Sequence, residues 1–197
     1  MVSDMGGPTA NMYKMRCKDE ETEQVCRRLS CIDPTICKNL GYDHTPIIEL
    51  MAKARAVPGV KKVFIASGVR MDLAAKSPKY LDELAKHHVG GHLKVAPEHI
   101  SDPVLKLMKK PRKDNFLEFK REFEKASKRA GKEQYLVPYF ISSHPGSDIN
   151  SMIELAQFLK KNGFKPQQVQ DFIPTPMDVA TCMYYTDIDP ITMNPVY

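Results

Sequence analysis

Four of the five cysteines, Cys17, Cys26, Cys31 and Cys37, fall within 21 residues, and only Cys182 lies elsewhere. Thiolates are ligands for zinc and for iron–sulfur clusters, so the group is a candidate metal site, with His44 close in sequence. The spacings of eight, four and five intervening residues match neither a zinc ribbon nor a ferredoxin pattern. The other reading is a set of buried or free thiols. Further chemistry is offered by Gly6-Gly7-Pro8-Thr9, Ser67-Gly68-Val69-Arg70, Glu98-His99 and Ser143-His144-Pro145-Gly146-Ser147-Asp148. Glycines let backbone approach a ligand, hydroxyls and arginine bind anionic or polar groups, and a carboxylate beside an imidazole suits proton transfer or metal binding. Each also has a purely structural reading: a tight turn, a capping acid, a surface histidine.

These residues share a position. Each group closes a short apolar run: Val2–Thr9, Val63–Arg70, Leu93–His99, Tyr139–Ser147 and Val169–Pro176. Helical patterns follow at least four of them. Thr45-Pro46 offers an N-cap and first-turn proline before Ile47, Leu50, Met51 and Ala54, and Val57-Pro58-Gly59 ends that helix. Ser77-Pro78 and Asp102-Pro103 repeat the device. Phe116, Phe119, Phe123 and Ala126 form the longest stripe, and Met152, Leu155, Ala156 and Leu159 the last. The alternation predicts an α/β fold, a partial (β/α) TIM-like barrel with a mainly parallel sheet. In such barrels the loops at the carboxyl ends of the strands build the site. A barrel over residues 1–176, with a cysteine-bearing insertion at 14–44 and an irregular extension at 177–197, is the expected organisation.

The chain has 197 residues, enough for a substantial core but short for a complete barrel of about 200–250 residues. It has no run of about 18 apolar residues and no secretory pattern, so no membrane partner and a cytoplasmic location are expected. The formal charge is +5, concentrated between Lys106 and Lys132 but interleaved with Glu118, Glu122 and Glu124. That region reads as a solvated helix face or, alternatively, a basic surface for RNA or a protein.

In this order the loops resemble radical S-adenosylmethionine enzymes of the YgiQ type. The resemblance rests on Asp4-Met5-Gly6-Gly7-Pro8-Thr9-Ala10-Asn11-Met12-Tyr13, the long string Leu93–Met108, Ser142–Asp148 and Asp171-Phe172-Ile173-Pro174-Thr175-Pro176. It extends over essentially the whole chain and includes the stretch Cys31–Leu40. It implies a six-strand partial barrel holding S-adenosylmethionine beside a [4Fe–4S] cluster. Electron transfer from flavodoxin or ferredoxin would produce a 5′-deoxyadenosyl radical that abstracts hydrogen from a small-molecule or RNA substrate. By the same resemblance Gly6, Gly7 and Pro8 approach the methionine end of the cofactor, and Ser67, Arg70, Glu98 and His99 face the adenosine or the substrate. For Cys17, Cys26, Cys31 and Cys37 the resemblance fixes no role and leaves zinc, an auxiliary cluster and free thiols as alternatives. The family's C-x₃-C-x₂-C cluster loop does not occur in this sequence. The expectation is therefore a core fragment beginning at the second strand and inactive in isolation.

Two other function classes compete. A metal-dependent barrel hydrolase would use His99, His144 and Glu98, with the carboxylate as base. A non-enzymatic scaffold would bind RNA or protein through the basic stretch, with steep salt dependence.

Overall fold

Helix starts are set by acids and prolines at the first turn, and strand ends by the polar tails that follow each apolar run. The computed structural model describes the chain except Pro8, Gln167 and Gln168. In chain order the elements are a 3₁₀ turn at Ala10–Met12, β1 (Arg16–Cys17), α1 (Glu20–Val25), β2 (Leu40–Gly41), α2 (Thr45–Ala56), α3 (Met71–Ala74) and α4 (Pro78–Glu83). A π-helical turn at Leu84–His88 follows, then β3 (His92–Glu98), α5 (Asp102–Leu107), α6 (Lys113–Arg129), β4 (Tyr135–Ser142), α7 (Ile149–Lys161), β5 (Val169–Asp171) and α8 (Val179–Thr186).

The expected alternation is present. Strands β3, β4 and β5 form one sheet in that order, with β5 parallel to β4 through Phe140↔Val169, Ile141↔Gln170 and Ser142↔Asp171. The first two predicted strands are reduced to a single parallel bridge between Val2 and Val63, backed by Met5 N–H donating to the Phe64 carbonyl at 2.8 Å. The fold is mixed α/β, and the described strands close no barrel. The insertion is gathered at its base by an antiparallel pair, Arg16↔Gly41 and Cys17↔Leu40.

The chain divides into two compact units, Met1–Val95 with Asp114–Val137, and Ala96–Lys113 with Pro138–Tyr197. In the first, the α6 stripe is buried as its period predicts: Phe119 and Phe123 are fully covered and stacked with centroids 6.1 Å apart. Gln134 closes this unit's core, its amide donating to the carbonyls of Ala85 and Val89, both at 2.9 Å. In the second, Ile100, Phe140 and Leu155 form a buried cluster, with Met152, Phe158 and Leu159 packed against it.

Two expectations are corrected. Thr45 does not cap α2, because the His44 carbonyl already accepts the helical bond from Ile48, which places Thr45 inside the helix. Asp43 does the capping, accepting from the Thr45 N–H at 2.9 Å and its hydroxyl at 2.8 Å. The segment from 177 is not irregular throughout: α8 starts where Asp178 accepts from the Ala180 N–H at 2.8 Å. Its proline-poor middle is short, which is why its period is hard to see in sequence.

Candidate functional site

The first unit places the glycine loop beside the second strand-end loop. Asp4 accepts hydrogen bonds from Ala66 N–H at 2.8 Å, Ser67 N–H at 3.3 Å and the Ser67 hydroxyl. Partial burial works against the Asp4 charge, but the bonds from Ser67 and the Ala66 and Ser67 backbone prevail and hold its carboxyl below the usual range. Seven residues on, Asn11 is fully buried. Its carbonyl accepts from Arg70 N–H at 2.8 Å, and its amide donates to the Arg70 carbonyl at 3.0 Å. Between these anchors lie Gly6 and Gly7. A Cβ on Gly6 would stand 2.2 Å from the Ala10 Cβ, and its φ is +146°. Gly6 is thus required by the turn itself. Among the described residues a Cβ on half-buried Gly7 would meet nothing within 4 Å, so Gly7 leaves room there for an incoming ligand. Pro8 lies outside the described residues.

Arg70 is oriented by Asp72, which accepts from its Nη2 at 2.9 Å and Nε at 3.2 Å. Gly68, at φ +93°, passes the Lys94 carbonyl so closely that a Cβ would lie 2.8 Å from it. Behind Asn11, His44 is buried and stacked on Tyr80 with centroids 4.7 Å apart. Its Nε2 lies 3.5 Å from the Asn11 amide nitrogen, while Nδ1 and the Tyr80 hydroxyl have no partner among the described residues. Burial lowers the His44 pKa to about 4.

His88 is fully buried and ties the π-helical turn to the segment around Val63. It lies 2.8 Å from the Val63 carbonyl through Nδ1 and 3.2 Å from Glu83 through Nε2, and Glu83 also pairs with Arg55 at 2.6 Å.

The second unit holds the remaining strand-end residues. Glu98 ends β3 at φ +63° and pairs with Lys110 at 2.6 Å. Ser143, just after β4, is also left-handed at φ +58°. Non-glycine residues in this region are uncommon and cost about 1 kcal/mol or more, and both occur at carboxyl ends of adjacent strands. His99 is fully buried; its Nδ1 accepts from Ser101 N–H at 3.0 Å, and its Nε2 faces the Ser147 hydroxyl at 3.4 Å. His99 fastens its own loop, with both nitrogens engaged. His144 donates from Nδ1 to the Pro145 carbonyl at 2.8 Å and meets Phe172 edge-on at 5.2 Å. Burial lowers the pKa of both histidines.

Among the described residues no three His, Cys, Asp or Glu side chains are placed to hold a metal ion. This covers the His99, His144 and Glu98 combination as well as the cysteine group. Cys26 and Cys31 are exposed, Cys17 and Cys37 half-buried, and the segment is organised instead by Arg28, whose guanidinium donates to the carbonyls of Ser30, Asp33 and Thr35. The four thiols as they stand do not fit a metal or cluster. Cys26 and Cys31 are therefore expected to react first with an exposed-thiol reagent. Protection of all four by added zinc, measured by mass spectrometry, would show instead that the segment closes around metal.

The basic stretch is largely paired. In the first unit Arg129 meets Asp82 at 2.6 Å, Lys125 meets Glu122 at 2.8 Å, and Lys132 caps the carbonyls of Ala85 and Lys86. In the second, Arg112 meets Asp102 at 2.7 Å and Lys113 meets Glu154 at 3.3 Å. A mixed-charge face results, which weakens the long-range field that a nucleic-acid scaffold requires. Among the described residues no helix is long and apolar enough to cross a membrane.

Comparison with known proteins places this arrangement. "UPF0313 protein" of Chromobacterium violaceum is 55% identical over 190 residues, covering 96% of this chain and 25% of that protein. The chain is homologous to part of a UPF0313 protein. The UPF0313 protein of Pseudomonas putida is 56% identical over 191 residues, covering 97% and 25%, and "UPF0313 protein YgiQ" of Salmonella typhimurium is 53% identical over 191 residues, covering 97% and 26%. The chain thus spans about a quarter of the length of the UPF0313 relatives it matches. A family model described as "Domain of unknown function (DUF3362)" matches residues 167–196, the stretch containing β5 and α8.

Sequence reading gave neither Asp4 nor Asn11 a role, although both stood inside the quoted motif Asp4–Tyr13. The partner of Asn11 is 59 residues away, and no local pattern announces it.

Proposed function

We propose that this chain supplies S-adenosylmethionine-binding loops of a radical S-adenosylmethionine iron–sulfur enzyme. The single observation that carries the reading is the loop from Asp4 to Asn11, tied at both ends to residues 66–70 and leaving Gly7 open between its anchors. Its support in sequence is the resemblance of the strand-end motifs to that enzyme class and the homology to a protein named YgiQ.

In this reading Gly7 is the point of closest backbone approach to the cofactor. Ser67 and Arg70 line the neighbouring loop, their backbones held by Asp4 and Asn11 and the arginine fork by Asp72. A guanidinium so held suits a carboxylate, such as that of a methionine moiety, through charge-assisted hydrogen bonds. Bound beside a reduced [4Fe–4S] cluster, S-adenosylmethionine supplies hydrogen-atom abstraction. The residues here bind and orient; the cysteines of this chain are not arranged to hold that cluster. Glu98 ends β3, pairs with Lys110 and keeps partial exposure, and it is a better candidate there than the fully engaged His99.

The test is binding and cleavage. S-adenosylmethionine is expected to bind the anaerobically purified chain in a calorimetric titration. A full-length UPF0313 relative, reconstituted with iron and sulfide and reduced, is expected to release 5′-deoxyadenosine. Absence of binding by both proteins, with no cleavage, would overturn the reading.

A further inference from the structure

We infer that Asn11, with Asp4, is a positioning residue: it sets the glycine arc against the 66–70 loop and so fixes the cofactor-facing backbone. The inference rests on the cofactor-binding reading above. Three observations carry it. First, Asn11 satisfies both backbone groups of Arg70, the N–H at 2.8 Å and the carbonyl at 3.0 Å, as a paired strand residue would. Strand pairing between these segments ends near Phe64, where Met5 N–H reaches the Phe64 carbonyl. A side-chain amide takes over where the backbones diverge. Second, at the other end the Asp4 carboxylate accepts from the backbone N–H groups of Ala66 and Ser67 and from the Ser67 hydroxyl. The arc between is closed internally by Ala10 N–H donating to the Gly7 carbonyl at 2.8 Å. Third, the amide orientation is determined: Arg70 N–H requires the oxygen on its side, which turns the nitrogen toward the Arg70 carbonyl and His44 Nε2. Neither end of the amide can rotate without opening its bonds to Arg70.

A buried amide could merely stabilise the fold, so the experiment includes one that does. Gln134 is a buried amide of the same unit that bridges Ala85 and Val89 and has no bond to either loop. Asn11→Leu and Gln134→Leu are compared in the full chain for thermal midpoint and for S-adenosylmethionine affinity. Both are expected to lower the midpoint, but only Asn11→Leu to weaken binding, by roughly tenfold. Asn11→Asp, which keeps the acceptor for Arg70 N–H, is expected to recover part of the loss and serves if the leucine variant fails to fold. Equal effects of the two leucine variants on affinity, or none from Asn11→Leu, would overturn the inference. If neither the unaltered chain nor the full-length relative binds S-adenosylmethionine and no cleavage is seen, the functional reading itself has failed. Amide hydrogen exchange still decides the positioning role in that case. Faster exchange at residues 5–10 and 66–70 in Asn11→Leu, with 84–90 unchanged, upholds it, and unchanged exchange throughout ends it.

Discussion

Gly6→Ala is expected to destabilise the chain by about 2–3 kcal/mol, while Gly7→Val costs little stability and abolishes most cofactor binding. The two glycines are neighbours in sequence but answer to different constraints. Gly6 adopts φ +146°, a region that side chains rarely enter, and a Cβ there would overlap the Ala10 Cβ at 2.2 Å. Strain of this kind costs about 1–3 kcal/mol, and the displaced 3₁₀ turn adds to it. Gly7 carries no such demand, since a Cβ there reaches open space. A valine at that position fills the space through which a ligand would approach backbone. Urea unfolding separates the first effect, and calorimetric titration with S-adenosylmethionine the second, with a loss of at least about tenfold in affinity at Gly7. Unaltered affinity in Gly7→Val would remove Gly7 from the site.

Acidification is expected to weaken the first unit through His44. Its folded pKa is about 4 against an ordinary 6.5, because burial disfavours the imidazolium. Between those values the unfolded chain binds the proton that the folded chain excludes. The stability from neutral His44 is therefore fully present above about pH 6.5 and is lost as the pH falls toward 4, up to about 3 kcal/mol. The geometry supplies the reason. Nε2 faces the Asn11 amide nitrogen, a donor, so a proton placed there has no acceptor unless that amide turns and releases Arg70. His44→Phe keeps the stack on Tyr80, removes a buried unpartnered nitrogen and is expected to flatten the acid limb. Unfolding free energies of both proteins between pH 4 and 7 measure this. Parallel curves would show that His44 does not set the limb. Burial also lowers His87, His88, His99 and His144, so these histidines contribute to a residual acid slope.

Local chemistry made the longer helices and the alternation of apolar runs with helices legible in advance. Pro46, Pro78 and Pro103 sit in first turns, the Phe116–Phe123 stripe has the helical period, and Gly163 ends α7 just beyond Asn162. These are properties of a few consecutive residues, and each can be weighed without knowing what lies across the chain. The polar tails of the five apolar runs were equally visible, as was the glycine pair.

What those tails do was decided by distance in space. Asp4 reaches Ser67 across 63 residues and Asn11 reaches Arg70 across 59, so their roles exist only once Val2 and Val63 pair. Gly6 and Gly7 read alike in sequence; only the position of Ala10 distinguishes a structural glycine from an open one. His99 and His144 looked equally available, yet burial and backbone bonds engage both nitrogens of one and a single nitrogen of the other. The cysteine cluster shows the limit from the other side. Four thiols close in sequence need not be close in space, because a loop with little regular structure follows its own backbone bonds, here those of Arg28. Sequence alone determined residue type, the periods of the longer helices and the alternation of apolar runs with helices. Tertiary structure alone decided which polar groups are satisfied and which remain open, because a hydrogen bond depends on distance and direction rather than on separation along the chain.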